Sequence, residues 1–252
     1  MNKKIRYLEL DVFRGVAVVM MVIFHFLYDV NMFHLAWIPL FTNPLWIVYR
    51  ETLVFLFLGV SGACLFLDHG KYGDSPNSIH GPTFWKRTLK LAAGACVITV
   101  ATYFYDKSLV ILFGMLHFLA LSAILCLPLT RAPRWALLVS FLAIAFGHMA
   151  DLNNPPHYIP YIAWMGFGSL RMRSFEVMPL IPYIGYITLG IFIASHEWQA
   201  EKDYLVVRLN PLLKINHLFE KIGQHALMIY LLHRPISMAI VYFFKVCTFK
   251  AK

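Results

Sequence analysis

Residues 10–29 of this chain, LDVFRGVAVVMMVIFHFLYD, form one apolar stretch that four ionisable side chains interrupt. The hydrocarbon core of a bilayer is about 30 Å thick, so a helix needs about 20 mostly apolar residues to cross it. An ionisable group near the middle of a bilayer costs about 2.5–3.5 kcal/mol, so each one requires a partner or a function. We therefore expect this stretch to be a membrane-spanning helix that carries chemistry.

The four ionisable groups, Asp11, Arg14, His25 and Asp29, share one side of that helix. At 100° per residue they fall within a stripe about 80° wide. His25 and Asp29 are four residues apart, a spacing that lets the carboxylate orient the imidazole as a general base. The alternative is a polar packing contact between helices, although charged groups are an expensive way to pack in a membrane. We therefore expect His25 and Asp29 to be catalytic.

The composition of the whole chain is that of a membrane protein. Of its 252 residues, 60% are hydrophobic and 14% are charged, and the mean hydropathy is +0.64. Soluble domains have about 25% charged residues, so a soluble globular protein is excluded. Hydropathy windows of about 19 residues predict an all-α helix bundle with about seven or more transmembrane helices, in one domain over residues 1–252. The predicted spans are 12–30, 45–67, 89–105, 109–128, 135–149, 179–195 and 225–246, with room for another within 150–178.

The distribution of Lys and Arg predicts a cytoplasmic N-terminus. In that orientation 13 of the 22 Lys and Arg residues fall in cytoplasmic loops and 6 in outer loops, as the positive-inside rule requires. The net charge of +9 is scattered through short loops, so we expect membrane lipids and no nucleic acid as partners. The four cysteines lack metal-ligand spacing, so we expect no metal. Self-association into a homo-oligomer is left open.

Further polar residues in the apolar stretches are suited to a substrate site. The candidates are Arg50, Glu51, Ser61, His117, Tyr230 and His233, with Glu176 in the connection before the span at 179–195. Histidines on three different spans, without metal-ligand spacing, favour a cavity that handles protons over a metal site. For any single one of these histidines, a hydrogen-bonded core residue is the alternative.

The last span carries its polar groups at helical spacing. Tyr230, Arg234 and Ser237 follow the i, i+4, i+7 pattern of one helix face, with His233 beside them. We therefore expect this face to line the same cavity as His25.

Four segments, taken in order, connect the chain to a known family. They are Leu10–Ala17 followed by His25, Phe113–His117, Pro179–Gly185 and Ile222–His233. The first segment resembles both the acyltransferase-3 group and the heparan-alpha-glucosaminide N-acetyltransferase catalytic-domain family, including its small bacterial members. The later segments resemble the second family in the same order, and the resemblance spans nearly the whole chain.

This resemblance implies an enzyme that moves an acetyl group from cytoplasmic acetyl-CoA to an amine or hydroxyl of a glycan-type acceptor on the outer side. The segment from His34 to Leu40 is similar to the His-x-x-Trp-x-x-Leu pattern that carries the family's active-site histidine. His34 is therefore a second catalytic candidate beside His25. An acidic outer-side mouth drawn from four carboxylates is expected to receive the acceptor: Asp29, Glu51, Asp151 and Glu176. The alternative for Asp151 and Glu176 is that they are solvated loop charges.

The donor needs cations, because CoA carries several phosphate charges. Arg14, Arg87 and Lys90 lie at predicted cytoplasmic ends and are the expected cofactor-binding residues. The competing function is a proton-coupled secondary transporter of a small polar solute, since protonatable residues also line such carriers. The absence of inverted repeats argues against the transporter.

Overall fold

The computed structural model describes residues 8–70, 82–107, 110–152, 163–166, 176–197 and 213–250. Within these ranges the chain is helical and contains no strand, so the all-α prediction is confirmed. The α-helices are α1 (Leu8–Met32), α2 (Pro44–Gly70), α3 (Pro82–Tyr105), α4 (Met115–Leu125), α5 (Pro133–Leu152), α6 (Leu180–Glu197), α7 (Leu213–Gln224) and α8 (Ala226–Lys250). Two short 3-10 helices cover Leu127–Thr130 and Ala163–Met165.

Four of these helices are long and apolar enough to cross a bilayer, which makes the chain an integral membrane protein. The qualifying stretches are Glu9–Met32 in α1, Pro44–Asp68 in α2, Phe84–Tyr105 in α3 and Ala226–Cys247 in α8. They match the spans predicted at 12–30, 45–67, 89–105 and 225–246. Large apolar side chains such as Leu45, Phe104 and Phe243 are exposed on these helices, as contact with lipid tails requires.

The other three predicted spans are also helical, and one of them, α4, is shorter than expected. Helix α4 has 11 residues, about 16 Å, where hydropathy predicts a span over 109–128. It begins only after Gly114, whose backbone is extended, and Pro128 lies in the 3-10 helix that follows it. The apolar parts of α5 and α6 cover Pro133–Gly147 and Leu180–His196. The suggested extra span within 150–178 falls mostly outside the described residues.

The chain divides into two compact units: Met1–Phe57 with Asp203–Lys252, and Leu58–Lys202. In the first unit, α7 packs closely on the first half of α1. A Cβ on Gly15 would lie 1.9 Å from the carbonyl oxygen of Phe219, and one on Gly223 would lie 1.9 Å from that of Asp11. Any larger residue at either glycine would therefore push these two helices apart.

In the second unit, small residues bring the end of α2 against α6. A Cβ on Gly62 would lie 2.0 Å from the carbonyl oxygen of Ile187, and one on Gly190 would lie 2.1 Å from that of Gly59. The glycines of α2 therefore serve close helix packing. That residues 1–252 act as one domain stays a prediction.

Candidate functional site

The first unit contains a buried ion pair between its first and last helices. Asp29 on α1 is 0% exposed. Its carboxylate accepts a hydrogen bond of 2.7 Å from Nη1 of Arg234 and one of 2.6 Å from Oγ of Ser237, both on α8. The guanidinium carbon of Arg234 also lies 5.2 Å from the ring centre of Tyr28. The buried negative charge is thus paired and hydrogen-bonded, as a carboxylate in a low dielectric must be.

The predicted hydrogen bond between His25 and Asp29 is therefore wrong, because the hydrogen bonds of Asp29 within the described part of the chain run to α8. Instead, Nδ1 of His25 lies 2.9 Å from the carbonyl oxygen of Met21. A carbonyl oxygen only accepts, so Nδ1 carries the hydrogen and Nε2 of the neutral ring carries the lone pair. The i, i+4 spacing permits contact with Asp29, but the guanidinium offers that carboxylate a charge-assisted bond.

A second imidazole lies directly beside His25. The ring centres of His25 and His233 are 4.9 Å apart, with an angle of 74° between the ring planes. His233 is only 8% exposed, and its Nδ1 lies 2.7 Å from the carbonyl oxygen of Tyr230. Nε2 of His233 is buried and has no hydrogen-bond partner among the residues that the structure describes. Both rings thus carry hydrogen on Nδ1 and a lone pair on Nε2.

The polar face predicted on the last span is confirmed. Arg234 and Ser237 both reach Asp29, and Tyr230, which is 5% exposed, has its ring centre 5.6 Å from that of His233. The structure therefore brings His25, Asp29, Tyr230 and His233 together within the first unit.

His34 lies outside this cluster. It follows the end of α1 in a turn, is exposed, and has a φ of 58°, a left-handed conformation uncommon for a residue with a side chain. The last residue of α1, Met32, lies seven positions beyond His25, which is about 10 Å along the helix axis. Asn31 closes the loop that contains His34, because its amide bonds both the N–H and the carbonyl of Ile38 at 2.7 and 2.5 Å.

Arg50 and Glu51 form an ion pair with each other near the start of α2, in the first unit. Nη2 of Arg50 lies 2.9 Å from Oε1 of Glu51, and both side chains are about one-third exposed. The neighbouring Tyr49 donates its hydroxyl to the carbonyl oxygen of Met20 at 3.0 Å, which fixes this turn of α2 against α1. Ser61, further along α2, belongs to the second unit.

Two of the three predicted cofactor cations are arginines that pair with carboxylates. Arg14 lies 2.5 Å from Asp11 on α1, in the first unit. In the second unit, Arg87 on α3 pairs with Asp68 on α2, and Lys90 is exposed one turn further along α3.

His117 in the second unit has a complete set of partners. The backbone N–H of Gly114 donates to its Nδ1 at 3.3 Å, so its hydrogen lies on Nε2, 3.1 Å from Oγ1 of Thr99. The Thr99 hydroxyl in turn donates to the carbonyl oxygen of Ile111 at 2.7 Å. His117 therefore links the start of α4 to α3. It is a hydrogen-bonded core residue, which was the alternative to a role in the substrate site.

Glu176 also supports α4. Its Oε1 accepts a hydrogen bond of 3.0 Å from the backbone N–H of Met115, at the N-terminus of that helix, where a negative charge is stabilising. It is thus not a solvated loop charge.

Sequence reasoning did not identify the partners of three residues in these networks. Arg234 and Ser237 were placed on one face but not matched to Asp29, and Thr99 was not singled out. The signal for Arg234 was available, because a buried acid in one span calls for a buried base in another. Thr99 gives no comparable signal, since threonine is common in membrane helices.

Comparison with known proteins identifies one family. The family model described as heparan-alpha-glucosaminide N-acetyltransferase, catalytic, matches residues 6–235. No curated protein and no solved structure matches the chain significantly.

Proposed function

Because the chain belongs to the heparan-alpha-glucosaminide N-acetyltransferase catalytic-domain family, we propose that it transfers an acetyl group from acetyl-CoA to an amine or hydroxyl of a glycan-type acceptor. One observation carries the proposal. His25 and His233 lie side by side in the first unit, and each neutral ring has a lone pair on Nε2. Acyl transfer needs such a base, because the attacking amine or hydroxyl has to lose a proton.

His25 is the proposed catalytic base, and His34 is the alternative that the family pattern supports. Asp29 has a different role from the one that its spacing suggested. It holds Arg234 and Ser237, and through them it holds α8 beside His25. Asp29 is therefore a positioning residue in this proposal.

Acetyl-CoA is proposed to enter from the cytoplasmic side. Arg87 and Lys90 of the second unit are the proposed phosphate-binding cations, and Arg14 of the first unit is a separate candidate. A guanidinium binds phosphate through two parallel hydrogen bonds, and an ammonium acts as a point charge. Support comes from Lys90 and Arg87, which are exposed near the start of α3.

We also propose a cytoplasmic N-terminus and seven or more crossings of a bacterial inner membrane. Helices α4, α5 and α6 would supply the crossings beyond the four long helices, since all three are apolar. The excess of Lys and Arg on one side supports the orientation.

The acceptor is proposed to bind in the first unit, near the end of α1. Arg50 and Glu51 offer a guanidinium and a carboxylate for sugar hydroxyls or an ammonium group, and Tyr230 and His233 lie beside the base. Ser61, in the second unit, stays a separate candidate for acceptor binding. His117 and Glu176 are left out of this site, because their polar atoms serve α4.

Binding and transfer by the purified protein in lipid nanodiscs test the proposal. We expect calorimetric binding of acetyl-CoA and transfer of radiolabelled acetyl to glucosamine. Arg87→Gln with Lys90→Gln should weaken binding about tenfold or more, because charged hydrogen bonds are worth about 1.5–3 kcal/mol. Lys107→Gln, just beyond the other end of α3, is the matched control and should bind as the wild type does. The family match does not favour a transporter. The chain would instead be a transporter if it showed proton-coupled solute uptake in vesicles and had no affinity for CoA.

A further inference from the structure

The unsatisfied nitrogen of His233 is the starting point for a second catalytic assignment. We infer that His25 and His233 form one proton-accepting pair, in which the proton of the acceptor is held between their two Nε2 atoms. This inference rests on the acetyl transfer proposed above, and it adds His233 to the residues that handle the reacting proton.

The hydrogen bonds of the two rings fix their tautomers. Each Nδ1 faces a carbonyl oxygen of its own helix, that of Met21 for His25 and that of Tyr230 for His233. Both Nδ1 hydrogens are therefore donated to backbone carbonyl oxygens, and each ring has its lone pair on Nε2. Nε2 of His233 has no partner among the described residues, and two lone pairs do not bond each other in the resting state.

One added proton changes this situation. A proton on either Nε2 makes it a donor, and the other Nε2 is then an acceptor on a ring whose centre is 4.9 Å away. The charged form thus gains a charge-assisted hydrogen bond that the neutral form lacks. A buried atom that is unsatisfied in the resting state becomes satisfied in the protonated state.

The cation beside the pair opposes an added proton, and a carboxylate offsets that cation. Arg234, the residue after His233, is the nearest cation that the structure describes beside the pair, and Asp29 neutralises it at 2.7 Å. Tyr230 packs on the other side of His233 without charge. His25 is the more exposed ring of the two, so it is the member that meets the acceptor, while His233 is shielded.

The chemical balance of the step is complete. The acceptor nitrogen or oxygen forms a bond to the acetyl carbonyl carbon, and its proton moves to the histidine pair. The carbon–sulfur bond then breaks, CoA leaves as a thiolate, and the thiolate takes the proton from the pair. The enzyme returns to its starting state, and no other reactant is required.

Kinetics of glutamine variants in nanodiscs test the pair. Glutamine keeps a hydrogen-bonding group but accepts no proton. His25→Gln and His233→Gln should each lower kcat roughly 10²–10⁴-fold, with the KM for acetyl-CoA unchanged. The double variant should be no slower than the slower single variant, because residues that act as a unit lose their effects non-additively.

His225→Gln is the matched control. His225 makes the same type of bond, from Nδ1 to the carbonyl oxygen of Lys221 at 2.9 Å, but it is exposed and away from the pair. It should keep wild-type turnover. A His233→Gln protein with wild-type turnover, or single effects that multiply in the double variant, would overturn the pair and leave the proposed acetyl transfer standing. A wild type that transfers no acetyl group would overturn both.

Nitrogen-15 NMR of wild-type protein with labelled histidines gives a test that does not depend on whether a variant folds. Both rings should show the Nδ1–H tautomer in the resting protein. An Nε2–H tautomer on either ring would refute the pair, because the neutral rings would then already be able to bond each other.

Discussion

His117 in the second unit and His233 in the first follow a leucine on an apolar helix, yet their surroundings differ. Both nitrogens of His117 are hydrogen-bonded, to the Gly114 N–H and to Thr99. His233 uses Nδ1 for a backbone carbonyl, and its Nε2 is unsatisfied within the described chain. An imidazole with both nitrogens hydrogen-bonded stabilises the fold. A buried nitrogen without a hydrogen-bond donor has lost its water without compensation, and a proton taken up during a reaction would bind to it. His117 is therefore a structural histidine, and His233 is a candidate for catalysis.

The same contrast extends to the buried polar groups of the two units. In the first unit they include the ionisable side chains of Asp11, Asp29 and His233. In the second unit, within the described ranges, they are the hydroxyls of Thr88, Ser122, Thr130, Ser140, Thr188 and Ser195. Four of these hydroxyls donate to carbonyls of their own helical turn, which keeps them neutral and satisfied. The buried charges therefore support the proposal that catalysis takes place in the first unit.

Removal of His25 tests the difference between the two units most directly. His25→Ala should lower acetyl turnover roughly 10²–10⁴-fold, the usual loss when a general base is removed. His34→Ala, outside the cluster, should have a much smaller effect, and Asp29→Asn an intermediate one. Steady-state turnover with radiolabelled acetyl-CoA measures all three. Full activity of His25→Ala alongside an inactive His34→Ala would move the base to the loop after α1.

Removing one partner of the buried ion pair should affect the fold of the first unit most. Asp29→Ala leaves the Arg234 charge without its carboxylate, a change that costs about 3–5 kcal/mol for buried pairs. The double variant Asp29→Ala with Arg234→Met should recover part of this loss, since it removes both charges. Thermal unfolding in detergent measures the effect. An unchanged midpoint for Asp29→Ala would show that the pair does not hold α8.

Thr99→Val should separate stability from activity in the second unit. The valine keeps the shape but leaves the Nε2–H of His117 and the carbonyl of Ile111 without this partner, which costs about 1–3 kcal/mol. Acetyl turnover per folded molecule should stay at the wild-type value. A loss of turnover without a loss of stability would return His117 to the list of site residues.

Glu176→Gln should have the smallest effect. The amide still accepts a hydrogen bond from Met115, so only the interaction of the charge with the α4 N-terminus is lost, about 0.3–1 kcal/mol. The KM for the acceptor should not change. A raised KM with unchanged thermal stability would assign Glu176 to acceptor binding instead.

Hydropathy predicted the four long helices because their apolar character is continuous and belongs to the chain itself. It was less successful where the backbone turns. Gly114 and Pro128 shorten α4, although the residues around them stay apolar. It also missed α7, because Lys214, His217 and Lys221 lower the average while Phe219 and Gly223 pack against α1. Average hydropathy does not distinguish such a helix from a loop.

The sequence predicted which residues lie on the polar faces of the helices, but it did not predict which of them are bonded to each other. Helical periodicity correctly placed His25 and Asp29 on one side of α1 and Arg234 and Ser237 on one side of α8. Which carboxylate meets which cation depends on how the helices pack, and nearest spacing along the sequence misassigned Asp29. The tautomers of His25 and His233 depend on their backbone acceptors, which only coordinates reveal.

The Asp29–Arg234 contact joins residues 205 positions apart, and this separation bears on biosynthesis. During translation α1 enters the membrane long before α8 has been made. Throughout that interval the carboxylate of Asp29 lacks its guanidinium partner, and a lone charge in a bilayer is unstable. Insertion of the last helix supplies this partner and completes the histidine pair in the same event. A chain that stops short of α8 therefore keeps an uncompensated acid in the membrane.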